Sequence, residues 1–128
     1  MLKAVLDAFL SGRGSATIPV ITVTDALERT KTGDVLLIDV REPDEWRATG
    51  SPRGSLRVAL QSPDFVNQIR KHSNHRKELP IALCCRSGLR GKKAAELLVQ
   101  DGFDNVSNVE GGMMKWVSED LPVDHESE

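Results

Sequence analysis

Two short apolar runs constrain the fold of this chain more than any other feature of its sequence. They lie at residues 35–40 and 81–84, and apolar and polar residues do not alternate in either of them. Strands with this pattern are buried on both faces, as in a parallel sheet that helices cover. Helices are predicted before, between and after the runs, at residues 25–30, 43–49, 65–70, 92–100 and 113–117. The sequence therefore predicts an α/β fold with a central parallel sheet flanked by helices on both faces.

Several of these helices have recognisable signals at their ends. Thr24 is predicted to cap the first helix, because its hydroxyl would accept a hydrogen bond from a free backbone N–H. Gly33 and Gly102 are predicted to follow helix ends, where glycine adopts the left-handed conformation readily. Pro43 suits the first turn of the second helix. Further extended segments are predicted at residues 18–23, 56–60 and 105–109.

Composition and periodicity divide the chain into three regions. Residues 1–17 are predicted to form a short amphipathic helix and a linker, residues 18–124 one globular domain, and residues 125–128 a frayed tail. A length of 128 residues suits a single domain. The apolar stretch near the N-terminus is interrupted by Asp7 and precedes no good cleavage site, so we do not interpret it as a signal peptide.

Charge and cysteine content exclude several classes of partner and site. The formal net charge of -2 argues against a general nucleic-acid binder, and no apolar run reaches the roughly 20 residues of a membrane span. The two cysteines, Cys84 and Cys85, are adjacent and cannot form an ordinary structural disulfide with each other. We therefore expect no nucleic-acid or membrane partner, no metal, no cofactor, and a reducing, cytoplasmic environment.

A strand, a loop and a helix around the cysteines carry the clearest chemical signal. The apolar strand ends in Cys84 and Cys85. The loop after it contains Gly88 and two arginines, Arg86 and Arg90, and leads into a helix. Backbone N–H groups and a helix N-terminus at the carboxyl end of a strand stabilise a negatively charged sulfur. The segment therefore predicts a nucleophilic thiolate that meets an anion, and either cysteine could supply it.

Five motifs in this sequence resemble, in order and spacing, those of single-domain rhodaneses. They are Ile38–Trp46, Cys85–Arg90, Gly102–Val106, Val109–Trp116 and Leu121–Val123. The resemblance covers roughly residues 20 to 123 and implies a rhodanese-like domain at residues 18–124. It also implies a parallel sheet flanked by helices and a sulfurtransferase activity in which a cysteine persulfide carries sulfane sulfur.

The resemblance also implies roles for individual residues. By position, Cys85 matches the persulfide-forming cysteine of the family. The substrate-binding loop of the family corresponds to Arg86, Ser87, Gly88, Leu89 and Arg90. The expected cycle is ping-pong: Cys85 takes sulfur from a small anionic donor such as thiosulfate and passes it to a thiol, to cyanide or to a protein acceptor. The arginines are expected to attract the anion, and the alternative for one of them is an ion pair with an acid elsewhere in the fold.

One segment departs from the family pattern. Residues 50–55 read Gly-Ser-Pro-Arg-Gly-Ser, where the family usually has a Gly-His-Ile-Pro-Gly-Ala type segment. No histidine lies near Ser51, so a role of this segment beneath the active-site loop does not follow from the resemblance. Just before it, Asp39 and Arg41 flank the end of a buried strand, where charge usually needs a partner. We predict a structural ion pair or a cap that fixes the neighbouring loop, in preference to a direct catalytic role.

Two other functions remain open. Counted from Cys84, five residues separate a cysteine from Arg90, as in cysteine-dependent phosphatases and arsenate reductases, whose arginine binds the oxyanion. Gly91 stands where that pattern normally has Ser or Thr, which counts against it. The other alternative is a non-catalytic binding module, although such modules usually lack the cysteine.

Overall fold

The structure is a computed structural model that describes residues 17–125. The predicted N-terminal helix, its linker up to residue 16 and the last three residues of the predicted tail lie outside this range. No helix within the described range combines the length and the apolar character that crossing a membrane requires.

Strands and helices alternate along the described residues. The strands are β1 (Val20–Ile21), β2 (Leu36–Asp39), β3 (Ser51–Pro52), β4 (Leu56–Arg57), β5 (Ile81–Cys84), β6 (Val106–Val109) and β7 (Val123–Asp124). The helices are α1 (Val23–Lys31), α2 (Pro43–Thr49), α3 (Phe65–His72), α4 (Leu89–Gln100) and α5 (Gly112–Ser118). Of these elements, β5 and α2 have the bounds that the sequence predicts.

The main sheet has five strands in the order β1-β6-β5-β2-β4, and every neighbouring pair in it is parallel. β5 lies at its centre, with Cys84 opposite Asp39 of β2 and Leu83 opposite Asn108 of β6. The remaining described strands, β3 and β7, form a separate antiparallel pair. The predicted α/β fold with a central parallel sheet is confirmed.

The two faces of this sheet bury separate hydrophobic cores. On one face Ile38 and Leu83 belong to a cluster with residues of α3 and α4, among them Phe65, Ile69, Ala94 and Leu98. On the other face Leu37 and Ala82 belong to a cluster with residues of α1 and α5, among them Val23, Leu27, Met113 and Trp116. Because both faces are covered, successive residues of a central strand are all buried, which explains the continuous apolar runs.

The start of α1 differs from the sequence prediction. Its cap is Thr22 rather than Thr24, and the Thr22 hydroxyl accepts a hydrogen bond from the Asp25 backbone N–H at 3.1 Å. Val23 is buried in the core, and this burial draws the first turn of the helix two residues toward the N-terminus. A local capping signal could not reveal that contact, because Thr occurs at both positions.

The predicted ion pair between Asp39 and Arg41 is present and buried. Nε of Arg41 lies 3.0 Å from Asp39 Oδ1, Nη2 lies 2.9 Å from Oδ2, and the two side chains are 3% and 0% exposed. The same guanidinium donates to the Thr49 hydroxyl and to the Gly50 carbonyl at the end of α2. Buried charges require such complete pairing. The network therefore joins the carboxyl end of β2 to α2.

The segment at residues 50–55 lies against the C-terminal part of the domain. Ser51 and Pro52 form β3 and pair with β7. The Ser51 hydroxyl also accepts a hydrogen bond from the Arg57 guanidinium at 2.9 Å. The segment that departs from the family pattern is therefore held by β7 and by Arg57.

A second group of charges connects the end of α4 to α3 and the polar segment after it. Asp101, the C-cap residue of α4, accepts hydrogen bonds from the Arg70 guanidinium and from the Lys77 ammonium, the latter at 2.7 Å. Chiefly through the hydrogen bond from Arg70, the pKa of Asp101 is lowered to about 2. The carboxylate is therefore ionised in the folded protein at every pH well above that value.

We predict that Asp101→Asn lowers the free energy of unfolding at neutral pH by about 1 kcal/mol, because a partly exposed pair of charge-assisted hydrogen bonds is lost. Folding lowers this pKa from 3.8, so the stabilisation is complete above that value and is lost as the pH falls through about 2. The free energies of unfolding of Asp101→Asn and the parent protein, measured with urea, should differ clearly at neutral pH and only slightly near pH 2. The control is Asp104→Asn at an exposed position, and equal effects of the two substitutions would contradict the prediction.

Candidate active site

Cys85 lies immediately beyond β5, at the carboxyl edge of the sheet. Its side chain is 1% exposed and belongs to the core cluster on the α3 and α4 face. In parallel α/β sheets this edge is where ligands bind. The position of Cys85 follows from β5 being the central strand, with its end between those of β2 and β6.

The loop after Cys85 turns a backbone donor toward its sulfur. The Gly88 N–H donates a hydrogen bond to Cys85 Sγ at 3.0 Å. Gly88 has φ +118° and ψ −18°, a conformation that residues with a Cβ rarely adopt, and it caps the twelve-residue helix α4. The sulfur therefore faces a backbone N–H at the positive end of a helix, and both favour negative charge on it.

This geometry also corrects the predicted start of α4. The helix begins at Leu89 rather than Lys92, so Leu89 and Arg90 belong to its first turn and not to the loop. The left-handed turn at Gly88 makes the early start feasible, because it reverses the chain within three residues of Cys85. The loop is consequently tighter than the sequence suggests.

The start of α5 binds the loop through two backbone hydrogen bonds. The Met113 N–H donates to the Cys85 carbonyl at 2.6 Å, and the Met114 N–H donates to the Arg86 carbonyl at 3.0 Å. A Cβ on Gly112 would collide with both of those carbonyl groups. The second glycine of the Gly111-Gly112 pair is therefore required for the close approach of the two backbones.

Cys84 occupies a different environment from its neighbour. It is 0% exposed and belongs to the core cluster on the opposite, α1 and α5, face of the sheet. Burial and, next, the nearby Asp39 carboxylate raise the pKa of the Cys84 thiol well above its usual range. Its S–H donates to the Cys85 carbonyl at 3.6 Å. Burial and the raised pKa therefore both favour the protonated thiol at Cys84.

Arg90 is bound to an acid from another element. Its two terminal nitrogens lie 2.7 and 2.8 Å from the two carboxylate oxygens of Glu45 in α2. The hydrogen bonds from Arg90 are the main reason that the pKa of Glu45 is lowered to about 2, while the same pairing raises the pKa of Arg90. This is the ion pair that the sequence left as the alternative for one of the two loop arginines. It fastens the first turn of α4 to α2.

The other predicted loop residues face solvent. Arg86 and Ser87 are exposed, and Leu89 is 81% exposed. Within residues 17–125, no carboxylate forms an ion pair with Arg86. Of Arg86 and Arg90, Arg86 is thus the one whose guanidinium is exposed and not paired with a carboxylate of residues 17–125.

A cleft of about 410 Å³ opens beside the loop, a volume in the range of small-molecule sites. Arg86 and Glu45 contribute to its wall, and the rest is mostly apolar, with Ala48, Met113 and Val117 among the lining residues. Met113 lies at the cleft, and its backbone N–H also binds the Cys85 carbonyl. Of the loop residues, Arg86 is the one that lines this cleft. In the described part of the chain no group of three or more His, Cys, Asp or Glu side chains is arranged to hold a metal ion.

Three residues of this site are not identified by sequence reasoning. Glu45 forms an ion pair with Arg90, and Gly112 allows the start of α5 to approach the carbonyls of Cys85 and Arg86. The Asn108 amide donates a hydrogen bond to the Gly88 carbonyl at 2.8 Å. Glu45 and Gly112 lie within motifs that the resemblance includes, but no local pattern shows which atoms they contact. Asn108 is identified only by the register of β6 beside β5, which places it opposite Leu83.

Proteins with related sequences have more than one kind of name. A sulfurtransferase of Allochromatium vinosum is 37% identical over 92 residues, which are 72% of this chain and 80% of that protein. A tRNA uridine(34) hydroxylase of Acinetobacter baumannii (strain AYE) is 33% identical over 90 residues, which are 70% of this chain. The match spans only 28% of the length of that hydroxylase. Related sequence therefore occurs in proteins named for different reactions.

A solved structure has the same fold over nearly the whole length of both chains. The polysulfide-sulfur transferase of Wolinella succinogenes, solved in solution as a 30 kDa homodimer, is similar with a TM-score of 0.70 and 29% identity. The similarity covers 94% of this chain and 90% of that one. The family model described as the Rhodanese-like domain matches residues 22–119, which include β2, β4, β5 and β6 of the main sheet, the loop after Cys85 and α5. The chain therefore belongs to the rhodanese-like domain family.

Proposed function

We propose that this protein transfers sulfane sulfur by forming a persulfide on Cys85. The observation that carries the proposal is the hydrogen bond from the Gly88 N–H to the Cys85 sulfur at the start of α4. A fixed backbone donor and a helix N-terminus stabilise negative charge on sulfur without reorganising during the reaction. The similarity to a named sulfurtransferase and to a polysulfide-sulfur transferase, each matched over most of its length, supports this class of reaction.

In the first half-reaction the Cys85 thiolate attacks the outer sulfur of a donor such as thiosulfate. A new sulfur–sulfur bond forms to Cys85 while the sulfur–sulfur bond of the donor breaks. Sulfite leaves with the electron pair of that bond. The negative charge moves from the cysteine sulfur to the terminal sulfur of the persulfide, where the N–H groups of the loop stabilise it.

In the second half-reaction a thiolate or cyanide attacks the terminal sulfur of the persulfide. The bond between the two sulfur atoms breaks, and its electron pair returns to Cys85 as thiolate. The product is an acceptor persulfide or thiocyanate. The two half-reactions balance without a further oxidant or reductant.

Arg86 is proposed to attract the anionic donor. Its guanidinium is exposed beside the cleft and has no ion-pair partner in residues 17–125, whereas Arg90 is held by Glu45. The apolar wall of the cleft gives room for a thiol or a protein acceptor that is larger than cyanide. Arg86 and Arg90 would thus serve different purposes, Arg86 for the substrate and Arg90 for the fold.

The phosphatase or arsenate reductase alternative requires Cys84 as the nucleophile and Arg90 as the oxyanion ligand. Cys84 is fully buried on the opposite face of the sheet, and its raised pKa keeps it protonated. Arg90 already binds both carboxylate oxygens of Glu45. Cys84 is therefore inaccessible and protonated, and Arg90 is already paired. We favour Cys85 as the nucleophile for these reasons.

The non-catalytic alternative predicts that the loop binds a partner without reacting. The hydrogen bond to the Cys85 sulfur gives no advantage to such a module, because a buried apolar residue would pack equally well there. We therefore favour catalysis, and the reactivity of Cys85 distinguishes the two functions directly.

We predict that incubation with thiosulfate adds one sulfur, about 32 Da, to the intact protein, because the Cys85 thiolate captures the outer sulfur of the donor. The adduct should form in Cys84→Ala and be absent in Cys85→Ser. Intact mass spectrometry, before and after addition of cyanide, measures both formation and transfer. Cys84→Ala is the matched control because it removes the neighbouring sulfur without burying a hydroxyl.

Other outcomes of the same experiment would favour the alternatives. An adduct that depends on Cys84 would contradict the assigned register. Turnover of an aryl phosphate that is lost in Cys84→Ala would favour a phosphatase. No adduct with thiosulfate, polysulfide or glutathione persulfide, together with no phosphatase turnover, would favour a binding module.

We predict that Arg86→Ala raises KM for thiosulfate about fivefold, equivalent to about 1 kcal/mol, because an exposed charge that attracts the donor is removed. The effect should shrink as ionic strength rises, since salt screens exposed charges. Steady-state kinetics at low and high salt make the measurement. Arg47→Ala, at an exposed position of α2, is the control, and the same KM in both variants would exclude the role proposed for Arg86.

A further inference from the structure

We propose that Asn108 is a positioning residue that fixes Gly88, so that the Gly88 N–H points at the Cys85 sulfur. The Asn108 Nδ2 donates a hydrogen bond to the Gly88 carbonyl at 2.8 Å, and the Gly88 N–H donates to Cys85 Sγ at 3.0 Å. The carbonyl that accepts from Asn108 and the N–H that donates to Cys85 both belong to Gly88. A side chain of β6 is therefore linked through the backbone of Gly88 to the nucleophile beyond β5.

Gly88 needs such a restraint more than other residues would. It has no side chain, and its φ of +118° lies in a region that only glycine enters easily. The freedom that lets glycine adopt this conformation also lets it leave, and then the N–H would turn away from the sulfur. Its carbonyl accepts a second hydrogen bond, from the Lys92 N–H of α4, but that bond belongs to the helix and not to the sheet. Asn108 supplies the connection to the sheet.

An asparagine at position 108 destabilises the strand unless its amide makes a hydrogen bond that the site requires. It lies in a central parallel strand, is only 8% exposed, and its Oδ1 is buried without a hydrogen-bond partner among the described residues. An unpaired buried polar atom costs about 1 to 3 kcal/mol, and an apolar side chain there would avoid that penalty. Asparagine is also depleted in strands. Within residues 17–125, the one hydrogen bond of this side chain is the bond to the Gly88 carbonyl.

The neighbouring helix leaves room for this amide at one position. A Cβ on Gly91 would collide with Asn108 Oδ1 and would lie 3.2 Å from the Leu83 carbonyl. Gly91 has no left-handed conformation to explain it, and glycine weakens a helix interior. The absence of a side chain at residue 91 therefore serves the placement of Asn108. This accounts for the glycine that stands where a phosphatase would have Ser or Thr.

The inference rests on the nucleophilic role proposed for Cys85, but alkylation tests it without sulfur transfer. In the Cys84→Ala background, the rate at which iodoacetamide modifies Cys85 is measured against pH for Asn108→Leu, Asn108→Asp and Ser107→Ala. The midpoint of the profile should rise by about one pH unit in Asn108→Leu, with an about tenfold slower rate below it, because the N–H no longer stabilises the thiolate. Ser107→Ala, one residue away on the same strand, should leave the profile unchanged.

Asn108→Asp gives a second readout if Asn108→Leu does not fold. The carboxylate cannot donate to the Gly88 carbonyl, so alkylation at neutral pH should be slower than in the parent protein. At acid pH the protonated carboxyl donates again, and the difference from the parent should narrow. A folded Asn108→Leu or Asn108→Asp with the parent profile at every pH would overturn the proposal, as would a loss of stability with no change in the profile.

A double-mutant cycle separates positioning from packing. Gly91→Ala should raise the midpoint as Asn108→Leu does, because its Cβ displaces the amide. In an Asn108→Ala background, Gly91→Ala should produce little further change in the profile, since the atom it displaces is gone. Additive effects would show that the two residues act independently and would overturn the proposed link. If the midpoint shifts while no thiosulfate adduct forms on Cys85, Asn108 retains its role and only the proposed sulfur transfer fails.

Discussion

The burial of β5 on both faces of the sheet is the constraint on which the rest of this structure depends. A strand with a core on each side must direct alternate side chains into each core. Cys84 and Cys85 therefore belong to different clusters, although they are adjacent in the chain. One thiol is sealed in the α1 and α5 core with a raised pKa, and the other lies at the sheet edge beneath a backbone donor. The chemical difference between the two cysteines is thus a consequence of strand geometry.

Three separate elements then hold the loop that follows Cys85. Backbone N–H groups at the start of α5 bind the Cys85 and Arg86 carbonyls, and Asn108 of β6 binds the Gly88 carbonyl. Arg90 is held by Glu45 of α2, and α2 is itself joined to β2 by the buried Asp39 and Arg41 pair. Rigid support of this kind suits a site whose donors must already point at the charge that develops on sulfur. The paired charges in this site therefore join α4 to α2 and α2 to β2, whereas the charge of Arg86 is exposed and unpaired among the described residues.

Much of the fold was predictable because it depends on local patterns. The continuous apolar runs indicated buried parallel strands, and Pro43 marked the start of α2 correctly. The local Thr signal places the cap of α1 two residues late, because the burial of Val23 decides where that helix begins. The sequence pattern places the start of α4 at Lys92, because it does not show the left-handed turn at Gly88. Errors at helix ends thus arose where a tertiary contact or a left-handed turn overrides local preference.

The sequence by itself determined the class of fold, the family resemblance and the segment in which we propose that the chemistry lies. It also indicated Cys85, Arg86 and Arg90 as candidate site residues, since residue type and order along the chain are sufficient for that. Only the tertiary structure decided that Arg90 is bound by Glu45, that Cys84 is sealed in the opposite core, and that Asn108 reaches Gly88. Arg90 and Glu45 are 45 positions apart and Asn108 and Gly88 are 20 positions apart, whereas Cys84 and Cys85 are adjacent but belong to cores on opposite faces of the sheet. Such contacts are set by strand register and helix packing, which no local pattern encodes.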